Sequence, residues 1–500
     1  MVISLIGVVL SLIVLVVFAY RGHSVVVVGP AAALIAVLFA REPVMGTYTQ
    51  IFMPALAGFI GKYFPLFLFG AIFGYLMTST GLARYLARGI TALFGPKRAM
   101  LSTVIATALL TYGGVSAWVV AFTIVPIATA LFKETGIPKR LMPGAIALGT
   151  ITFALAALPG SPQIHNAIPT SYFGTNTYAA PVFGILSALL MLVAGMAWLE
   201  FRIKQLQRGG ERFEPIDAKG NVIPTPEGIG DTGDEASVDI GGESFDTNSG
   251  GHLTTHAPLG IKEPSVKVQG MLGLLPILVV IVVNFAIVYF FSKSWTADYL
   301  AREKYGETSL TALLGIWSPT IALALAVVVI IAMFPSRVST SLKELSEGAK
   351  NAILPCFTTA SEVGYGAVIA ALAVFAVIKN NMLAIADNAL VVSTVSTGVI
   401  SGITGSSSGG LSITMETLGE QLAQLATEQG ISLELMHRVT AMASVSFDSL
   451  PHNGAVLTML MVCGMTHRLS YKDAAVVTII IPLATLAIML GLNIVIPGLS

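Results

Sequence analysis

Of 500 residues, 55% are hydrophobic and 11% charged, and 27 basic side chains cancel 27 acidic ones. A soluble domain carries about 25% charged residues, so this composition excludes an ordinary soluble chain, and a net charge of zero removes the electrostatic case for nucleic acid. The two cysteines, Cys356 and Cys463, have neither Cys-x-x-Cys nor metal-ligand spacing, so they read as free thiols with no metal site.

The chain therefore reads as an all-α polytopic membrane protein. Its first twenty residues lack a basic start and run into a second apolar stretch, the pattern of a retained transmembrane helix rather than a cleaved signal. Apolar windows of about 20 residues, the length that spans a bilayer, fall near 2–20, 23–40 and 64–80. The following loop holds Arg84, Arg88, Lys97 and Arg98, which makes it cytoplasmic by the positive-inside rule and sets the N-terminus outside. As one straight helix, 99–132 would measure about 50 Å, too long for a core of about 30 Å. "TYGGVS" interrupts it and the basic residues Lys133, Lys139 and Arg140 follow, so it reads as a re-entrant hairpin tipped by Gly113 and Gly114. A helix over 141–178 is broken by "LPGSPQIHN", and 180–201 returns to the cytoplasm.

Residues 209–267 carry eleven acidic and four basic side chains among Gly, Pro and Thr, the composition of a solvated, disordered cytoplasmic linker. Beyond it the plan repeats upside down. Spans near 270–292, 311–334 and 352–378 precede a hairpin over 385–426 that turns at "GITGSSSGG". A helix over 436–465, broken at "LPHNG", and a last span over 473–496 put the C-terminus outside. Residues 1–208 and 268–500 are thus two inverted-topology repeats, each of three transmembrane helices, a re-entrant hairpin, a broken helix and a final helix. The letters agree: "GGVS" at 113–116 pairs with "GGLS" at 409–412, "GIPKRLM" at 136–142 with "GISLELM" at 430–436, and "LPGSPQIHN" at 158–166 with "LPHN" at 450–453. Inverted repeats with interrupted helices in matching places point to a secondary transporter with its site at the repeat interface.

Irregular backbone at membrane depth is tolerated only inside protein or along a watery cavity. The candidate substrate-binding residues therefore lie at the interruptions: Gly113, Gly114 and Ser116 at the first tip, and Thr404, Ser406, Ser407, Ser408 and Gly409 at the second. Glycine admits close backbone approach and serine hydroxyls both donate and accept; the plain alternative is that small residues let helices pack closely. Pro159, Pro162 and Pro451 stop the helical ladder, which puts Asn166 and Asn453 where the outgoing half-helices need N-caps. Helix N-termini favour an anion, so these parts suit a carboxylate, with His165 and His452 as donors. Ionisable groups within spans are functional candidates: Asp448 with His452 is placed to carry a coupling proton, and Glu362 in "TTASEVGYGAV" either shares that role or makes a structural hydrogen bond. Glu416, Glu420 and Gln424 form a stripe expected to face water or a helix partner, and Lys62 and Asp387 lie near outer ends.

The pairing of "GITGSSSGGLS" with "SLPHNGAV", and of "GGVSAW" with "LPGSPQIHN", resembles the gluconate permease (GntP) family of the ion transporter superfamily over nearly the whole chain. The resemblance implies a bacterial inner-membrane homodimer that imports gluconate or a related hydroxy or keto carboxylate, of the 3-hydroxybutyrate type, by proton symport with no cofactor. Three alternatives remain open. Sodium is a possible coupling ion, since hairpin carbonyls and hydroxyls ligate it. A passive channel would conduct without coupling. Gly405 to Gly409 also spell the G-x-S-x-G of a serine hydrolase, with Ser407, His452 and Asp448 as its triad, but that elbow requires a strand-to-helix turn and these flanks are helical.

Overall fold

Apolar runs become helices here because only intrachain hydrogen bonds satisfy a backbone in hydrocarbon. The computed structural model describes residues 2–21, 23–217, 219–226, 228, 238–240, 243–245, 264–335, 338–451 and 453–496. Among these, seven helices are long and apolar enough to cross a membrane: Val44–Ser79, Lys139–Ala157, Pro181–Arg208, Val266–Ser294, Glu303–Met333, Lys343–Ala371 and His467–Val495. Val2–Tyr20 and Val25–Ala40 pack against each other at the start of the chain. The protein is a multi-pass, all-helical membrane protein; among the described residues one strand pairing, Val238–Ile240 with Glu243–Phe245, lies in the linker.

One group of helices takes members from both halves. Val338–Ala371 runs along Met53–Ser79, and Leu310–Met333 packs beside that same helix. Leu82–Phe94 lies on Val266–Ala286, where a methyl group on Gly89 would come within 2.3 Å of the Gly270 Cα. Missing side chains let these two backbones touch, the usual route to close packing in lipid.

The second group holds the interruptions. Ala99–Tyr112 and Ala117–Thr135 form a helical hairpin around Gly113–Ser116, and Gly114 turns the chain at φ +100°. Ala389–Thr404 and Ser407–Glu428 form the other, turning at Gly405 with φ +64°. In this conformation a Cβ is strained, which is why glycine occupies both turns. The letter pairing of "GGVS" with "GGLS" does not survive as a structural equivalence. Gly113 and Gly114 make a turn, whereas Gly409 and Gly410 lie inside the first turns of a helix. There a methyl on Gly410 would sit 2.3 Å from the Ser401 Cα, so this glycine serves hairpin packing.

Lys139–Ala157 is almost wholly enclosed, 94% buried against 28–61% for the other six candidates, and it ends in the first break. The expected outgoing half-helix up to residue 178 is absent. Two single turns, Ile164–Ala167 and Thr170–Phe173, stand in its place, because Pro169 removes a donor and Gly174, at φ +62°, reverses the chain. The second break is shorter: Leu433–Phe447 ends at Asp448, and Gly454–Val462 resumes the helix.

The linker is not free from its first residue. Glu211 takes Arg140 in a two-pronged ion pair (Nε to Oε1 2.6 Å, Nη2 to Oε2 2.5 Å), and Lys139 donates its backbone N–H to Phe213 O at 2.9 Å. Phe213 and Glu211 are buried, Ile216 bridges Val222, and Gly228 lies against Gly464. One apolar ring and one paired acid hold this segment where composition alone suggested an unanchored chain. A forked, charge-assisted contact of this kind contributes on the order of 2 kcal/mol. Glu211→Ala is therefore expected to accelerate proteolysis between residues 211 and 226 more than tenfold, with Arg140→Ala matching it and the double variant adding little. Unchanged cleavage rates in both single variants would show that the pair does not hold the segment.

Candidate functional site

The helix after the second tip begins where Ser406, in extended conformation, accepts the Gly409 N–H on its Oγ at 3.1 Å. This N-cap fixes Ser407 as the first helical residue, beside N–H groups that lack intrahelical partners. Ser407 Oγ meets His165 Nε2 at 2.7 Å, which joins the second tip to the first break across 242 residues of chain. Asp448 reaches the same place as the C-cap of Leu433–Phe447. Its carboxyl accepts from Ser449 Oγ at 3.0 Å, and the Ser407 side chain lies beside it. His165 and Asp448 are both buried, and His165 Nδ1 has no partner.

Neighbouring groups fix this cluster. Asn453 caps the resumed helix by accepting from Val456 N at 2.9 Å, and its Nδ2 donates to Gly405 O at 2.8 Å, so the second break is tied to the second tip. Glu362, on Val338–Ala371, accepts from Ser406 Oγ at 3.3 Å. Its carboxylate occupies the space that a side chain at Gly409 would fill, since a methyl there would lie 1.8 Å from Oε2. Ser408 Oγ lies 3.4 Å from Thr359 Oγ1, while Thr404 Oγ1 bonds only to the carbonyls of Ile400, Ser401 and Ser406.

The first tip does not join this cluster. Gly113 packs against Ile277, and Gly114 against Leu323 and Pro162. Ser116 starts Ala117–Thr135 without a side-chain cap. Gln163 at the first break donates to Thr111 O (2.7 Å) and Val115 O (3.2 Å), and Tyr112 donates to Pro159 O at 2.7 Å. Asn166 is not an N-cap; Gln163 holds that position in the turn. The Asn166 amide instead gives both hydrogens to Ser161 O and Thr177 O (2.9 and 2.7 Å), and its oxygen accepts from Arg438 Nη1 and His437 Nε2 (2.9 and 3.2 Å). With its amide committed on every side, Asn166 is held in place beside its neighbour His165. His452 lies outside the described residues.

Arg438 and His437 were not anticipated. Arg438 is completely buried, and its five N–H groups reach Ala156 O, Thr177 O, Ala179 O twice, and Asn166 Oδ1, at 2.8–3.2 Å. His437 pairs both ring nitrogens, Nε2 with Asn166 and Nδ1 with Thr175 Oγ1 at 2.7 Å. The signal was present as a cation inside the apolar run "LMHRVTAMA". Glu416, expected to face water or a helix partner, accepts from Tyr172 Oη at 2.8 Å, with Lys62 Nζ 5.5 Å from the Tyr172 ring.

Ser407, His165 and Asp448 are residue types of a hydrolytic triad, but a triad needs the histidine between the other two. Here His165 meets Ser407, but no carboxylate among the described residues orients its Nδ1. The arrangement matches a buried polar site in a membrane bundle.

The sequence is 39% identical, over 492 residues, to a Bacillus subtilis protein described as uncharacterized transporter YxjC, covering 97% of this chain and 98% of that one. The chain belongs to the YxjC family of transporters. No protein-family model matches it. For this YxjC relative, Arg438 gives a stability test. Lysine offers three donors without the planar fork, so Arg438→Lys loses at least two of the five hydrogen bonds, at about 1.5–3 kcal/mol each for a charged donor. Thermal unfolding in detergent is expected to fall by several degrees; an unchanged midpoint would mean that these bonds do not hold the first break.

Proposed function

We propose that the protein is a secondary transporter that carries a small hydroxy or keto carboxylate, of the gluconate or 3-hydroxybutyrate type, across the bacterial inner membrane together with a proton. The observation that carries this reading is the 2.7 Å contact of His165 with Ser407 beside Asp448. Groups from two interrupted segments, one in each half of the chain, converge there on buried polar atoms. Transporters with inverted repeats bind substrate where discontinuous helices from the two halves meet. The transporter name of the Bacillus subtilis relative supports the same class.

The site suits an organic anion with a hydroxyl group. The N-terminus of Ser407–Glu428 presents free N–H groups to a carboxylate. Ser407 and Ser408 hydroxyls serve either as donors to it or as acceptors from a substrate hydroxyl. Asp448 and Glu362 are the acids that take and release the coupling proton, one beside Ser407 and the other beside Ser406. In this reading the basic loops face the cytoplasm, both termini face outside, and the helices shared between the halves form the frame against which the hairpins and breaks move.

Uptake of radiolabelled gluconate and D-3-hydroxybutyrate into liposomes holding the purified protein tests the reading. Accumulation driven by inward protons without sodium is the expected result. Ser407→Ala and Asp448→Asn, each still monodisperse in detergent, are expected to lower that accumulation at least tenfold. A requirement for sodium would overturn proton coupling, and wild-type accumulation in both variants would remove this site from the transport path.

A further inference from the structure

We infer that Glu362 is a resident anion of the binding site: its carboxylate holds the N-terminal turn of Ser407–Glu428 at the place that the substrate carboxylate takes, and the substrate enters as Glu362 binds a proton and releases the hairpin. The inference rests on the transport reading above and names the exchange that couples the two solutes. It starts from a contact between the two groups of helices, since Glu362 belongs to Val338–Ala371 in the frame and Ser407–Glu428 is an arm of the second hairpin.

Thr359, Glu362 and Gly366 recur at i, i+3 and i+7, so they share one face of their helix. Each meets the hairpin: Thr359 Oγ1 lies 3.4 Å from Ser408 Oγ, Glu362 Oε2 accepts from Ser406 Oγ at 3.3 Å, and Gly366 packs on Ile413. The point where a Gly409 Cβ would stand is 2.9 Å from Glu362 Oε1 and closer still to Cδ and Oε2, so the whole carboxylate is seated on the first helical turn. Glu362 is 2% exposed there. The Gly409 N–H goes to Ser406 Oγ and the Gly410 N–H to Ser406 O, which leaves the N–H groups of Ser407 and Ser408 without a partner inside the helix. Such a helix end draws an anion, and a buried carboxylate from the frame already sits on it. The room that an anion needs is filled by Glu362 itself, and a substrate reaches it past Ser406, Ser407 and Ser408, which are only half-buried.

Two carboxylates on one site cannot both stay ionised. As the substrate anion arrives, one proton from solvent adds to the Glu362 carboxylate; no other bond changes, and substrate plus proton carry no net charge. Neutral Glu362 is no longer drawn to the helix end, so the frame loses its hold on the hairpin in the same step. Other ionisable groups nearby are occupied elsewhere. Val25–Ala40 packs through Ser361, whose Oγ donates to Val25 O at 3.2 Å, and carries no titratable side chain. Tyr48 stacks on Phe52, which packs against Gly364. On Met53–Ser79, Lys62 Nζ lies over the Tyr63 and Tyr172 rings, Tyr63 donates to Ile168 O at 3.5 Å, and Tyr75 packs against Gly348. Tyr365, on the helix of Glu362, pairs with Ser11 Oγ at 2.9 Å, and Glu416, farther along the hairpin arm, accepts from Tyr172. His165 and Asp448 stand at Ser407, the residue after the one that Glu362 meets.

Calorimetric binding of gluconate and of D-3-hydroxybutyrate to the full-length protein as a function of pH tests the exchange. Proton uptake with substrate makes wild-type affinity fall about tenfold per pH unit above the range where Glu362 is already protonated. Glu362→Gln, which has no charge to compete with and takes no proton, is expected to bind at least tenfold tighter at neutral pH with no slope, and to lose proton-driven accumulation. Glu362→Asp, an acid on a shorter arm, is expected to keep both the slope and accumulation. A wild-type slope in Glu362→Gln overturns the inference, and so does loss of the slope without a gain in affinity. If Glu362→Gln does not fold, a cross-link decides. With Cys356 and Cys463 replaced by serine, Gly366→Cys and Ile413→Cys set their Cβ atoms 3.3 Å apart, near disulfide spacing, and saturating substrate is expected to slow oxidation of the pair at least fivefold. Equal oxidation rates in protein that calorimetry shows to be loaded with substrate overturn the release. Wild-type protein that neither binds nor accumulates either acid would instead overturn the transport reading.

Discussion

The molecule depends on one buried cation. Arg438 brings a full positive charge into the protein interior, where an unpaired ion costs several kcal/mol, and it is neutralised by dipoles rather than by a bonded carboxylate. Those dipoles are carbonyls that the first break leaves without helical partners: Ala156 at the end of Lys139–Ala157, and Thr177 and Ala179 before Pro181. Each problem resolves the other. An interrupted helix needs donors for its bare carbonyls, a buried guanidinium needs acceptors for its five N–H groups, and the geometry that satisfies both fixes the second half of the chain against the first.

From that junction the rest of the site follows. Asn166 is held by Arg438 and His437, and the adjacent His165 is thereby aimed at the second tip. On the other side, Asn453 fastens the second break to Gly405 O. Glycine matters here for what it admits: Glu362 reaches Ser406 because Gly409 has no side chain, and the arms of the second hairpin close because Gly410 has none. The two halves are unequal in use. The first tip is packed and capped by Gln163, and the second sets Ser407 against His165 and Ser406 against Glu362.

What the sequence by itself determined was where the helices stop. Gly113-Gly114, Gly405, Pro159, Pro162 and Pro451 act through their own backbone restrictions, which hold in any surroundings, and the structure interrupts its helices at each. The same local logic identified Ser407 and Asp448 as polar groups in apolar surroundings, and Asn453 as a cap. It erred where two local signals competed: Asn166 resembles a cap, but Pro169 and Gly174 leave it no helix worth capping.

Tertiary structure alone decided which of these groups meet. Arg438 and its acceptors are 259–282 residues apart, and His165 and Ser407 are 242 apart. No propensity or spacing encodes such distances, because they are set by how helices from two halves pack. Composition likewise described an acidic linker, but only packing showed that Phe213 and Glu211 anchor its beginning to Lys139 and Arg140. Backbone chemistry is local and can be read residue by residue; partner choice is a property of the packed interior, where a buried donor takes whichever acceptor the fold brings within 3 Å.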